Sequence, residues 1–238
     1  MPKLSVITIN YNNGIGLEKT IKSVISQTYP DFEFIIIDGG STDDSVEIIK
    51  SYFDKITCWV SEKDTGIYNA QNKGIDLAKG EYCLFLNSGD SLVDRNVLET
   101  TFSVQNNSDI IYGDMQTVDK NQRIEHLKMP QMIGSKQLYA DTLWHPVSFI
   151  KRELFSKYGK YDEQYKIVAD YEFFVRVILN KKVSTKHIPI EIAVFDTSGV
   201  SADISKRSQL IEERKKIQDM YFNPVLLILF RLYTKLRN

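Results

Sequence analysis

The sequence predicts an α/β fold: a mostly parallel central sheet with helices on both faces, followed by a helical tail. Three observations predict it. Short β-branched and apolar runs alternate with stretches of helical spacing through the first hundred residues or so, the pattern of strands joined by crossover helices. One run, residues 82–86 in "GEYCLFLNSGDSL", is apolar throughout, as a strand covered on both faces is. The runs also end in small polar turns that carry acids, and open α/β sheets bind ligands beyond the carboxyl ends of their strands.

Residues 4–9 read as a strand, 17–25 as a helix, and 34–37 as a second strand ending at Asp38. A polar-capped helix over 43–53, a short strand at 56–60, a helix over 67–78 and the strand at 82–86 continue the order. Crossovers in such an arrangement are right-handed, and this part reads as one nucleotide-binding α/β half. Beyond it, 109–112 reads as a strand, and "MQTVDKNQRIEHL" alternates around an Asp119, Lys120, Asn121 turn as a hairpin does. Helices over 152–158 and 168–180, then a strand pair near 183–188 and 191–195, form a less regular half that shapes a second substrate pocket. No repeat of solenoid length and no low-complexity linker interrupts the chain.

The tail begins near Ser205 with a charged helix, "SKRSQLIEERKKIQDMYF", and runs through Asn223 and Pro224 into "VLLILFRLYTKLRN". Its apolar run at 225–230 is shorter than the roughly twenty residues that span a bilayer. Arg231, Lys235 and Arg237 beside Leu232, Tyr233 and Leu236 suit an amphipathic helix that seeks an anionic surface, while a helix packed on the domain fits the same residues.

A chain of 238 residues with 42% hydrophobic content buries a full core as one main domain, assigned to 1–204 with the tail at 205–238. Thirty basic against thirty-one acidic residues leave a net charge of -1, which argues against a dedicated nucleic-acid binder. Cys58 and Cys83 stand in apolar contexts without metal-ligand spacing and read as small buried hydrophobes of a reducing compartment. The start, "MPKLSVITINYNN", lacks the order of a signal peptide, so a cytoplasmic location is expected.

Three acidic turns fall where a crevice would be: "IIIDGGSTDDS", "SEKDTGIYNAQNKG" and "FLNSGDSL". In the first, Gly39 and Gly40 permit a tight turn, Ser41 or Asp43 can cap the next helix, and Asp38 is left for a ribose hydroxyl or a base N–H. Neither a Walker lysine motif nor G-x-G-x-x-G is present, so a phosphate's charge has to be met by a metal or by scattered basic groups. Asp90 can supply a hard oxygen ligand to magnesium or manganese; a turn whose polar residues cap the next helix is the plainer reading of the same stretch.

The blocks "LSVITINYNN", "QTYPDFEFIIIDGGSTDDS", "DTGIYNAQNKGIDLAKGEYCLFLNSGDSL" and "GKYDEQYKIVADYEFFVRV" resemble, in that order, the family-two glycosyltransferases, nearest to the branch that builds colanic acid, O-antigen and capsular polysaccharides. The resemblance covers roughly residues 3–196. It implies a GT-A fold with a Rossmann-like sheet, an inverting reaction, a nucleotide-diphosphate sugar donor with UDP-sugars favoured, transfer of a hexosyl or N-acetylhexosaminyl group to a lipid-linked or other glycan, and usually a divalent metal, Mn2+ or Mg2+. Carried onto this sequence, it places Asn10, Tyr11, Asp38, Asp64, Asn72, Asn87, Ser88, Gly89 and His145 at the nucleotide sugar, Asp90 at the metal and Asp170 as the base. Two positions depart from the family. Where it often has a second acid after Asp38 this chain has Gly39, and where its acidic turn is commonly Asp-x-Asp-Asp this chain reads Asn87, Ser88, Gly89, Asp90, so metal binding rests on Asp90, with Asn87 or His145 as helpers.

Asp170 in "VADYEFFVRV" suits a carboxylate that takes an acceptor hydroxyl proton, or else a helix N-cap; Glu172 and Arg176 have the spacing to pair across a helix surface. His145 in "TLWHPVSF" falls where this branch has a histidine near the acceptor or diphosphate, and a structural histidine fits as well; Trp144 could stack on a sugar or fill core. Asp64 and Asn72 flank "TGIYNAQ" and fit nucleotide contacts or turn and helix-surface positions. A nucleotidyltransferase would want a basic, glycine-rich loop after the first strand, and "NYNNGIG" has no basic residue before Lys19. A binding or scaffold subunit with a decayed metal turn is the non-enzymatic alternative; retention of Asp90 and Asp170 speaks against it.

Overall fold

The computed structural model describes residues 1–103, 106–197 and 206–236. Its first half runs β1 (Leu4–Asn10), α1 (Gly14–Ile25), β2 (Phe32–Asp38), α2 (Ser45–Ser51), β3 (Cys58–Ser61), α3 (Ile67–Leu77) and β4 (Tyr82–Phe85). The two-residue period of a strand decides which core each side chain joins. Leu4, Val6, Phe34 and Ile36 pack with Leu17, Ile21 and Val24 of α1, and Ile7, Ile9, Ile35 and Ile37 pack on the opposite face with Tyr68 and Ile75 of α3. These four strands are parallel, in the order β3-β2-β1-β4. The order reverses at β1, because the chain moves outward through β2 and β3 and returns on the other side, and a crevice opens where the two directions part.

The second half is mixed. It comprises β5 (Ser91–Leu92), α4 (Val97–Phe102), β6 (Ile110–Val118), β7 (Ile124–Leu127), α5 (Ser135–Ala140), β8 (Ser148–Lys151), α6 (Glu153–Tyr158), α7 (Ala169–Val175), a π-helical continuation at Arg176–Asn180, and β9 (Thr185–Asp196). Strand β8 lies antiparallel between β4 and β6, β9 runs parallel to β6, β5 closes the edge against β9, and β7 forms the expected hairpin with β6. The Asp119 carboxylate accepts the N–H groups of Asn121 and Arg123 to shape the hairpin turn.

One expectation is corrected here. The strand pair near 183–188 and 191–195 is the single strand β9, whose register against β6 shifts between Tyr112 and Met115. Tyr112 pairs with His187 and Asp114 with Glu191, so Pro189 falls in the irregular stretch, where a residue without an N–H is tolerated. A proline inside the run gives the sequence the look of two strands.

Helices α8 (Arg207–Tyr221) and α9 (Pro224–Lys235) follow. Ile217, Phe222 and Leu227 enter the core on the α7 side of the sheet, whereas Val225, Ile228, Leu229, Leu232 and Leu236 are exposed. The division at 204/205 and the basic residue Arg237 lie outside the described residues.

Candidate active site

The crevice at the carboxyl ends of β1 and β4 has a volume of about 590 Å3. Asn10 and Asp38 end neighbouring strands in register, and the Asn10 amide donates to Asp38 Oδ1 at 2.9 Å. Ser41 Oγ also donates to Oδ1, while the Ser41 N–H and Ser61 Oγ donate to Oδ2. Burial works to raise the Asp38 carboxyl, and these donors outweigh it and hold it below the ordinary carboxylate range. Asp38 is fully buried and is absent from the crevice wall. The expectation that it is free for a ligand is therefore corrected: its oxygens organise the turn that carries Ser41 and present Asn10, whose buried Oδ1 has no partner.

Gly39 explains itself through Asp64. A Cβ at position 39 would lie 2.5 Å from Asp64 Oδ2 and 3.3 Å from the Tyr11 ring, so Asp64 occupies the space that a second acid after Asp38 would need. Asp64 and Tyr11 both line the crevice.

The turn after β4 is built on α1. Thr20 Oγ1 accepts the Gly89 N–H at 3.0 Å and donates to the Asp90 carbonyl at 2.6 Å, and Lys19 Nζ donates to the Gly89 carbonyl at 2.8 Å. Gly89 has φ +105°, a left-handed conformation that a side chain would strain; it shapes the turn and its backbone faces α1 rather than the crevice. Asp90 is buried, and its Oδ1 accepts the Asp196 N–H at 3.0 Å while Oδ2 has no partner. Burial pushes its carboxyl up to about 6, against the smaller lowering effects of the Asp196 N–H, His145 and Lys19. An orphaned buried carboxylate oxygen beside a second acid suits a hard cation, so the residues fit a divalent metal at Asp90. Among the described residues no group of three or more His, Cys, Asp or Glu side chains has metal-holding geometry. Asn87 and His145, named from the sequence as helpers, line the same crevice and are bonded to each other and to further partners.

Those bonds lead to Asp170. Gln71 Nε2 donates to Asn87 Oδ1 at 3.3 Å, Asn87 Nδ2 lies 3.2 Å from His145 Nε2, and His145 Nδ1 lies 3.2 Å from Asp170 Oδ2. Tyr68 shares its hydroxyl proton between the Ile167 carbonyl at 2.7 Å and Asp170 Oδ1 at 3.0 Å. Burial favours the protonated Asp170, but His145, Tyr68 and the Tyr171 N–H hold its carboxyl below the ordinary range. Asp170 stands in the first turn of α7 without serving as its N-cap, which is Val168. Its neighbours Glu172 and Arg176 do pair, at 2.8 Å, but in the interior: the Glu172 side chain is 3% exposed and also accepts from Tyr221.

Of the residues singled out from the sequence, Asn10, Tyr11, Asp64, Asn87, Ser88, Asp90, His145 and Asp170 share the crevice wall. Asn72 does not; its amide is tied to Tyr161 and Glu163, which brings the loop before α7 onto α3. Trp144 packs, partly buried, against both cores and is not among the residues of the crevice wall. Sequence reasoning missed Asn13, Tyr68, Gln71 and Asp196, which also line the wall. Tyr68 and Gln71 are one helical turn apart, a signal within "TGIYNAQ" that only an oriented helix makes visible, whereas Asp196 ends a strand as the other acids do and was open to the same argument.

The model of Glycosyl transferase family 2 matches residues 5–167. A PGL/p-HBAD biosynthesis glycosyltransferase of Mycobacterium tuberculosis is 29% identical over 204 residues, which cover 83% of this chain and 78% of that one. Among solved structures, S. aureus TarS in complex with UDP-GlcNAc superposes with a TM-score of 0.68 at 21% identity, over 82% of this chain and 58% of that chain. A mannosyltransferase from Pyrobaculum calidifontis in complex with GDP-Man and Mn2+ gives 0.61 at 16% identity, over 81% and 56%. The chain thus spans less than two thirds of these two solved chains. Their likeness shows the fold, which is the GT-A-like α/β architecture expected from the sequence.

Proposed function

The chain belongs to glycosyl transferase family 2, and from that premise we propose that it is an inverting transferase that moves a sugar from a nucleotide-diphosphate sugar, a UDP-sugar by preference, to a glycan acceptor. The observation that carries the reading is the shared crevice: an ionised Asp170 and the unpaired oxygen of Asp90 line the same wall. Asp170 takes the proton of the acceptor hydroxyl as that oxygen bonds to the anomeric carbon, and the bond from that carbon to the diphosphate breaks from the opposite face. His145 and Tyr68 hold the carboxylate in place. Asp90, with Asp196 beside it, would hold Mn2+ or Mg2+, which supplies charge stabilisation to the departing diphosphate. Asn10, Tyr11, Asp64 and Ser88 form the donor wall. That the solved neighbours carry UDP-GlcNAc in one case and GDP-Man in another supports a nucleotide-sugar donor and leaves the hexosyl or N-acetylhexosaminyl choice to the pocket.

The acceptor is assigned to lipid-linked glycans of cell-surface polysaccharide synthesis, O-antigen or capsule among them, with the enzyme on the inner face of the cytoplasmic membrane. The exposed apolar face of α9, with Arg231 and Lys235 beside it, supports peripheral attachment. Among the described residues no helix is long and apolar enough to cross a membrane. Donor turnover with and without manganese tests the enzymatic reading: release of nucleoside diphosphate from a UDP-sugar is expected. Donor binding without any release, with acceptor lipid present, would point instead to a binding or scaffold subunit.

A further inference from the structure

We propose that Gln71 is a positioning residue for Asp170, acting through Asn87 to hold His145 in its neutral Nδ1–H form. The inference rests on the reading of Asp170 as the base. Its geometry is the chain Gln71 Nε2 to Asn87 Oδ1, Asn87 Nδ2 to His145 Nε2, and His145 Nδ1 to Asp170 Oδ2, at 3.3, 3.2 and 3.2 Å.

The direction of every link follows from the chemistry of its last member. An ionised carboxylate only accepts, so His145 Nδ1 carries the proton. In a neutral imidazole Nε2 is then the acceptor, and Asn87 has to present its NH2 group to it. That orientation turns Asn87 Oδ1 away from His145 and requires a donor on the other side. Gln71 is that donor. It is 2% exposed, and its own Oε1 is left buried without a partner. Reversing the Gln71 amide would bury unpaired N–H groups instead of one carbonyl oxygen, the less tolerated outcome, and would also set oxygen against oxygen at Asn87. The unpaired Oε1 is thus the consequence of holding His145 in one state.

A residue that only filled space at position 71 would be replaced by methionine without effect on the imidazole. The chain makes a different prediction. In metal-free protein at about pH 8, the side-chain 15N shifts of His145 should report the Nδ1–H tautomer; with three histidines in the chain, assignment by His145→Gln is direct. Gln71→Met should free Asn87 to turn and raise the imidazolium fraction, and Gln71→Glu, which accepts where Gln71 donates, should turn Asn87 Oδ1 toward Nε2 and, with Asp170 still accepting at Nδ1, hold the doubly protonated ring. Both variants should lose kcat by up to roughly tenfold, the low end of the scale for removing an orienting partner, because Gln71 stands three hydrogen bonds from Asp170, with KM for the donor little changed. An imidazolium or an Nε2–H tautomer in the wild type overturns the proposal, as does an Nδ1–H tautomer that persists in both variants. A protonation state that shifts as expected while kcat stays put would retain the chain and remove Asp170 as the base, so the two failures are distinguishable.

Discussion

At the scale of single residues, Asp90 and Gly39 carry the sharpest consequences. The Asp90 carboxyl titrates near 6 in the fold against 3.8 ordinarily, so the native state holds its proton more tightly than the unfolded chain does. Stability therefore falls as pH rises from about 4 to about 6, and above that the buried ionised group costs on the order of 3 kcal/mol. Asp90→Asn is expected to melt higher than the wild type above about pH 7 and at a similar temperature near pH 4, both without metal. Manganese should raise the wild-type melting temperature by an amount that grows through that same pH window, and should not raise that of the variant. A variant that melts lower at neutral pH would mean that Asp90 is a satisfied turn residue. For Gly39→Ala, the new Cβ at 2.5 Å from Asp64 Oδ2 has to displace that carboxylate and crowd Tyr11, which is 65% exposed. Calorimetric titration should show a severalfold loss of nucleoside-diphosphate affinity at an unchanged melting temperature, and an unaltered affinity would take Asp64 out of the donor wall. That acids end the strands was legible in the sequence. What surrounds each acid was less so: Asp38 and Asp90 are the same residue type in similar turns, and only Ser41, Ser61 and Asn10 around one, and an unpaired oxygen on the other, set them apart.

At the scale of elements, α8 and α9 divide the tail into two jobs. Glu213 of α8 accepts the N–H groups of Lys166 and Ile167 at 3.1 and 3.0 Å, the Arg214 guanidinium lies 4.1 Å from the Tyr171 ring centre, and Tyr221 donates to Glu172. This helix thereby clamps the segment on both sides of Asp170. Helix α9 gives the core less, chiefly Leu227 and the partly buried Phe230, the latter against Tyr139 with ring centres 4.9 Å apart. Removing residues 224–238 is expected to abolish flotation with anionic vesicles at low salt and to lower the melting temperature by several degrees, since a buried apolar side chain is worth about 1.5–3 kcal/mol. The core should stay folded. Full-length protein that does not float would end the membrane assignment without touching the crevice. The sequence signalled both helices through their composition but left their docking open, because an apolar stripe fits a bilayer and a protein face alike. Elsewhere, α1, α3, β1 and β2 were legible from their apolar pattern, whereas β5, α4 and α5 were not singled out, and Pro189 disguised the continuity of β9.

At the scale of the whole molecule, the alternation of the first half was enough to foresee parallel strands, helices on both faces and a crevice at the carboxyl ends. The mixed second half was not foreseen in detail, since β8, β6 and β9 join the sheet out of chain order and nothing local in their residues says which neighbour each will take. Yet that half supplies His145, Asp170 and Asp196, and the site exists only because the sheet brings them to the turn after β4. The central claim is that one crevice holds the donor while Asp170 takes the acceptor proton. Its most direct test is turnover of a UDP-sugar with manganese and a glycan acceptor in wild type and Asp170→Asn, with donor affinity measured on the same samples. The account predicts a loss of about two to four powers of ten in turnover at unchanged donor affinity; wild-type-like turnover in the variant would contradict it.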